Sequence, residues 1–216
     1  MDLRRTRDSL VQHMLPHVPF DGWSVRAMRM ASTDAGHDRT MAERCFPGGP
    51  VEAVEHFSDF ADRLLVEEMA GADLQALRMR QRVAFLVRRR IEPWGGHREA
   101  VRRAMSLLAL PPNGLVALRA TYRTVDTIWH LAGDSATDFS FYTKRATLAA
   151  VHTATVLYWL DDMSEDAADT WDFLDRRIGD VMQIPKLRAR LDDLSGLGLL
   201  SKSGRRRRFG VRAASY

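Results

Sequence analysis

The sequence has a single cysteine, Cys45, so no disulfide can form within one chain and stability must come from packing. No Glu is followed three residues later by His, which removes the paired Glu-Xaa-Xaa-His ligand set of a di-iron carboxylate bundle. The seven histidines (13, 17, 37, 56, 97, 130 and 152) fall in separate segments, and no carboxylate is paired with His13 and His17, between which Pro16 intervenes. There is no serine-centred nucleophile motif and no phosphate-cradling glycine loop; Gly48-Gly49 sits in a turn between Pro47 and Pro50. These absences exclude the common catalytic designs, so no enzyme activity, metal or cofactor is expected. The start, Met1-Asp2-Leu3-Arg4-Arg5, lacks the apolar centre of a secretion signal, and Asp2 and Asp8 argue against a transit peptide. The expected location is therefore bacterial and cytoplasmic, peripheral to the inner membrane.

Charge is unevenly placed. Residues 186–216 carry nine Lys and Arg against Asp192 and Asp193, a net of +7, whereas the whole chain is only +4. The preceding part is thus mildly acidic, and a nucleic-acid-binding domain would concentrate its positive charge on itself. No nucleic-acid partner is expected. At 216 residues, with 45% hydrophobic and 28% charged, the chain is an ordinary globular one that buries roughly 70% of its unfolded surface.

Strand alternation is missing as well, and nearly every segment has helical period. Helices are expected over Leu3–Leu15, stopped by Pro16 and Pro19, over Ser24–Ala31, over His37–Cys45, and from Pro50 onward. Further apolar faces follow: Val54, Phe57, Ala61 and Leu64; Leu77, Ala84, Val87 and Ile91; Trp94, Val101, Met105 and Leu108. Another, capped by Asn113, carries Leu115, Leu118, Tyr122, Val125 and Trp129. The expectation is an all-α protein of about nine helices.

The densest stretch runs from Asp134 to Met182. From Ala146 to Leu160 there is no charged residue, which predicts a helix buried on every face. Its 15 residues fall short of the ~20 that span a bilayer, so a core position is expected. Asp138 is placed to cap it, and Phe141, Tyr142, Lys144 and Arg145 occupy its first turns. A second helix follows an acidic hinge, with Ser164 as its predicted cap; Trp171, Leu174, Ile178 and Val181 form its buried face, and Asp172, Asp175, Arg176 and Asp180 the opposite one.

The string from Asp138 to Arg145, the Thr170-Trp171…Phe173-Leu174 segment and the Arg177…Asp180 ending resemble the auxiliary lipid-binding protein of ubiquinone biosynthesis, the ninth protein of the coenzyme Q pathway. The likeness runs from about Pro16 to about Met182. The first fifty residues, three short helices leading through Cys45-Phe46-Pro47 into a long one, are similar to the N-terminal helix-turn-helix of TetR-type regulators. Together these imply a TetR-like helical bundle divided into a helix-turn-helix-like unit (1–49), a helical lipid-binding and dimerisation domain (50–182) and a basic tail (183–216).

The resemblance implies a non-catalytic factor that binds an isoprenoid lipid or quinone intermediate and presents it to the demethoxyubiquinone hydroxylase. On the residues alone, the uncharged helix can either pack tightly or border an apolar cavity; the resemblance favours a cavity walled by Leu148, Val151, His152, Thr155 and Val156, completed from the Trp94 to Trp129 region. It also implies that Asp138, Phe141, Tyr142 and Arg145 meet the hydroxylase, with Asp126, Trp129 and Asp134 as weaker candidates; relatives often have Trp at the position of Phe141. Trp159, Trp171 and Phe173 are candidates for a homodimer face. In the tail, Leu187, Leu191, Leu194 and Leu197 suggest an amphipathic helix on a membrane surface, to which Arg205, Arg206, Arg207 and Arg208 would add attraction for anionic lipid. The alternative is a ligand-responsive DNA-binding repressor. Against it, the third helix offers Arg39 and Arg44 but also Asp38 and Glu43, which phosphates repel.

Overall fold

The computed structural model describes residues 2–134 and 139–181. Nine α-helices, α1 (Leu3–Met14), α2 (Val18–Asp21), α3 (Val25–Asp34), α4 (Met41–Cys45), α5 (Gly49–Glu68), α6 (Met79–Ile91), α7 (Arg98–Leu108), α8 (Gly114–Ala132) and α9 (Phe139–Asp161), are followed by a tenth, α10, over residues 168–181. No strand occurs among the described residues, as the periodicity predicts. Met1–Ile178 group as one compact unit and Gly179–Tyr216 as another. Asp138 and the tail positions Leu187, Leu191, Leu194, Leu197 and Arg205 to Arg208 lie outside the described residues.

The N-terminal helices follow local signals. Asp2 accepts from the backbone N–H groups of Arg4 and Arg5 to start α1, and Ser24 accepts from that of Ala27 to start α3. Between them Gly22, at φ 67° and ψ −179°, takes a positive-φ conformation that the turn requires and that is open essentially only to glycine. The third short helix is shorter than predicted. Asp38 accepts from both the backbone and the hydroxyl of Thr40, a local turn that competes with helix and delays α4 to Met41. Trp23 donates to the Ala100 carbonyl at 2.9 Å and packs 5.6 Å from Phe57, which meets Trp94 edge-on at 4.7 Å. The small helices thereby share the core of the larger ones.

Two helices depart from the pattern read in the sequence. In α8 the buried residues are Ala120, Thr124, Val125, Ile128, Trp129 and Ala132, so Val125 and Trp129 of the expected face are buried, while Leu115, Leu118 and Tyr122 point outward at 74, 68 and 46% exposure. Asn113 does not cap this helix; its amide donates instead to the Leu107 carbonyl at the end of α7. In α9 the lack of charge does not mean burial all round: Leu148, Val151, Thr155, Val156, Trp159 and Leu160 are buried, but Ala146, Ala150, Leu157 and Tyr158 face outward.

The hinge between α9 and α10 is organised by Asp162 together with Ser164, whose hydroxyl accepts from the Asp169 backbone N–H at 3.1 Å. This buried carboxylate accepts from the backbone and hydroxyl of Ser164, and from the backbone and hydroxyl of Thr170 in the first turn of α10. It does the work of a helix cap from outside the helix. The turn needs such support, because Asp166 and Ala167 have φ of 51° and 56°, a region disfavoured for residues with a Cβ. Trp171 adds a second tie by donating to the Asp166 carbonyl. Burial pulls the Asp162 carboxyl up, but the bonds from Ser164 and Thr170 outweigh it and hold the group far below the usual carboxylate range. A depressed folded pKa contributes stability that is present above the unfolded value of ~3.9 and lost as pH falls from there toward the folded one. Asp162→Asn is therefore expected to cost roughly 1–2 kcal/mol at neutral pH and to flatten the acid limb of stability below about pH 4, measured by urea denaturation across pH.

Candidate functional site: an apolar cavity and a surface patch on one helix

A cavity of about 260 Å³ lies among α5, α6, α7, α8 and α9. Its origin is a mismatch of side-chain size. The lining from α8 is small, Ala117, Ala120, Thr121 and Thr124, as are Ala104 of α7 and Ala109 just past its end, whereas Phe57, Trp94 and Trp159 stand opposite and hold the helices apart. Val101, Met105 and Leu108, the expected face of α7, also line it, which is why they remain half-buried. Of the five wall residues expected on α9, His152 and Val156 line the cavity; Leu148, Val151 and Thr155 are buried elsewhere in the core, with the Thr155 hydroxyl donating to the Val151 carbonyl. Trp159 lines the cavity at 2% exposure, beneath the Arg98 guanidinium, so it cannot contribute to a dimer face. At ~30 Å³ per water-sized group the space holds about nine such groups, roughly two isoprene units.

One end of the cavity is polar. Asp62, buried on α5, pairs with the Arg90 Nε at 2.7 Å and with the Arg123 Nε at 3.2 Å, and accepts from the Thr124 hydroxyl at 2.8 Å. Arg90 also donates to the Ser58 carbonyl. His152 stands beside this cluster. Burial pushes its imidazole down, to about 4, with the Arg90 charge acting the same way and Asp62 opposing. The ring is thus neutral at physiological pH, and its Nε2 is buried without a hydrogen-bond partner. The Asp62 cluster was not expected from the sequence. Its signal was there: Asp62 sits among Phe57, Ala61 and Leu65 on the buried face of α5, where a carboxylate must be paired.

The second feature lies about 10 Å along α9 from His152, at ~1.5 Å per residue. Gly133 ends α8 in the left-handed conformation at φ 84°, and Asp134 turns back toward α9, where it accepts from Lys144 at 2.7 Å. Arg145 pairs with Asp126 at 2.7 Å and stacks on the Phe141 ring at 3.3 Å. Lys144 covers Trp129, and Phe141 meets Tyr142 edge-on at 5.1 Å. The structure therefore gathers Phe141, Tyr142 and Arg145 with Asp126, Trp129 and Asp134. Their exposures differ in a way the sequence does not reveal: Tyr142 is 68% exposed, Phe141 is half-buried and Arg145 is 6% exposed. Arg145 holds Phe141 in place, and Tyr142 is the side chain that meets solvent. Among the described residues no group of three or more His, Cys, Asp or Glu could hold a metal ion.

A bundle of this kind, with short N-terminal helices packed on a larger helical body, is a TetR-like fold. The TetR transcriptional regulator from Nitrosomonas europaea matches it with a TM-score of 0.66 over 82% of this chain and 98% of that chain; at 19% identity the likeness is one of fold. The particular relationship is to COQ9, of which this chain is a homologue. Residues 115–185 match the COQ9 family model. The ubiquinone biosynthesis protein COQ9, mitochondrial, of Homo sapiens is 34% identical over 177 residues, and that of Drosophila melanogaster 30% over 193, covering 79% and 88% of this chain. The probable ubiquinone biosynthesis protein of Dictyostelium discoideum is 27% identical over 199 residues. This chain spans 55, 59 and 64% of the human, fly and slime-mould proteins, respectively.

These relatives correct one expectation. They are mitochondrial proteins by name, so the bacterial, cytoplasmic, inner-membrane location inferred from the first residues does not stand. The chain spans just over half the length of the human and fly relatives, so its first residues do not decide targeting. Among the described residues no helix is long and apolar enough to cross a membrane.

Proposed function

We propose that this chain is a non-catalytic accessory factor of ubiquinone biosynthesis that holds part of an isoprenoid quinone intermediate in the α5–α9 cavity and presents it to the demethoxyubiquinone hydroxylase. The observation that carries the reading is the cavity itself, an apolar chamber with a neutral, unpartnered imidazole at one end. Few polar groups among apolar walls is the usual character of a site for an amphiphile. At ~0.8 kcal/mol per methylene, sheltering two isoprene units from water is worth about 6–8 kcal/mol, ample to draw a prenyl chain in. His152 offers a hydrogen bond to a phenol or quinone oxygen at the end of the cavity nearer the Phe141–Tyr142 patch. The reading includes contact with a membrane surface and a homodimer through α9 and α10, for which the exposed Leu157 and Tyr158 on the outer face of α9 provide apolar surface.

The repressor alternative gains nothing from α4. That helix is five residues long, Arg29 is paired with Glu43 at 2.6 Å, and Arg44 lies 3.9 Å from Asp38. Arg44 of α4 and Arg29 of α3 are thus turned to the protein's own carboxylates rather than toward phosphates, which leaves Arg39, exposed ahead of α4, as the cation there facing solvent.

The test is capture of the hydroxylase. Tyr142→Ala is expected to weaken capture by tenfold or more, in the range of an aromatic interface anchor at ~2 kcal/mol, while melting and bound lipid stay unchanged. Arg145→Ala is expected to weaken capture and stability together, because it leaves Asp126 and Phe141 without their partner. Undiminished capture by Tyr142→Ala would remove the patch from the account.

A further inference from the structure

Leu110, Leu115, Leu118 and Tyr122 are large apolar side chains left exposed at the corner where α7 turns into α8, at 52, 74, 68 and 46%. The last three recur at helical spacing and share one outward face of α8. An apolar helix face turned to water is costly unless something covers it. The same corner is where the cavity meets the surface. Among its lining residues, Ala109 is exposed and Leu108, Ala117 and Thr121 are half-buried, whereas Phe57, Trp94 and Trp159 are buried. One cation stands beside the leucines: the Arg119 side chain is 68% exposed and only loosely paired, 3.7 Å from Glu55, whereas Arg102, Arg103 and Arg123 are held by Glu99, Asp161 and Asp62.

We propose that the α7–α8 corner is a bilayer-docking surface, inserted among anionic lipids, that sets the cavity mouth directly against the acyl chains. Its purpose rests on the lipid-holding function above. A cavity of about 260 Å³ takes only roughly two isoprene units, so the remainder of any long tail must stay outside the protein and needs an apolar medium at the mouth. A bilayer supplies that medium. Leu115 and Leu118 enter the hydrocarbon edge, Tyr122 sits at the headgroup level where an amphipathic ring is favoured, and Arg119 faces the phosphates. Leu115 and Leu118 lie in the first turns of α8, two to three turns before Asp126, the partner of Arg145, so the membrane contact runs along α8 toward the hydroxylase patch and adjoins it at Tyr122.

The full chain carrying Leu118→Cys, labelled with an environment-sensitive fluorophore, is mixed with phosphatidylcholine vesicles with and without phosphatidylglycerol. Cys45 is buried and stays unlabelled. The expected result is a blue shift with the anionic vesicles and quenching by acyl-chain spin labels, with neither effect at a label on Asp38→Cys. L115D/L118D is expected to lower vesicle partition by roughly tenfold or more while the fold persists, because both positions are exposed. An unshifted Leu118→Cys label on protein that co-sediments with vesicles would overturn the proposal in favour of the tail. A shift that depends on protein concentration without vesicles would overturn it in favour of a second copy. Native mass spectrometry separates the two readings: protein that carries an isoprenoid yet shows no shift sinks only the docking surface, and a shift on protein that never carries lipid sinks only the carrier function.

Discussion

Asp62→Ala is expected to destabilise the protein by about 3–5 kcal/mol, the cost of leaving a buried cation without its partner. The Arg90 side chain is 10% exposed and its Nε loses the 2.7 Å contact, while the Thr124 hydroxyl, also buried, loses its acceptor. Arg123 suffers less, because at 31% side-chain exposure it turns to solvent. Against a total stability of 5–15 kcal/mol this is a large share, equivalent to a fall in melting temperature of roughly 10 °C for a chain of this length. Thermal melting is the measurement, and Thr124→Val, which removes one hydrogen bond, is expected to lose only about 1 kcal/mol. A loss below about 1 kcal/mol for Asp62→Ala would mean that the cluster does not hold α5, α6 and α8 together.

The same cluster shows what the sequence makes legible and what it hides. Helical period locates α1, α3 and α5 well because a core stripe is a local property of the chain, and Pro50 at the start of α5 and Gly133 at the end of α8 act through backbone restrictions that neighbours cannot override. Burial is not local. Leu115, Leu118 and Tyr122 have the spacing of a core stripe and lie outside, since the sequence does not say which of two apolar faces of α8 finds a partner. In the sequence Asp162 reads only as part of an acidic hinge; its partner Thr170 is eight residues on, a contact that exists only once the turn through Asp166 and Ala167 is made. The cavity is hidden for a related reason. It arises from small residues on α7 and α8 meeting large ones on other helices, a relation between elements that no single stretch carries. His152 and Val156 could be named because α9 faces it with alternate turns; Leu148, Val151 and Thr155 share the helix but not that direction. In the surface patch the residue types were legible and their roles were not, because the Asp126 pairing that buries Arg145 reaches across from α8.

The largest functional effect is expected from filling the cavity. Ala120 is 4% exposed on α8 and faces the empty space, so Ala120→Trp places an indole where about 260 Å³ now stands open. Overpacking of this kind costs typically 1–3 kcal/mol in a filled core, but here the side chain enters a void and the penalty is expected at the low end, readable as a small change in melting temperature. Ligand capacity behaves differently. With the space taken, the 6–8 kcal/mol gained by sheltering a prenyl segment is no longer available, and bound lipid should fall to background. His152→Leu serves as the milder companion: it nearly keeps the volume and removes the unpartnered imidazole Nε2 from the cavity wall, so hydrocarbon is retained while preference for an oxygen-bearing prenyl compound is lost.

The carrier function is tested most directly by native mass spectrometry of the full chain purified from cells, comparing unaltered protein with Ala120→Trp. The result predicted is an isoprenoid or quinone-like adduct on the unaltered protein and its loss from the folded variant. Unaltered protein that is persistently free of lipid, or an adduct retained in full by Ala120→Trp, would contradict it.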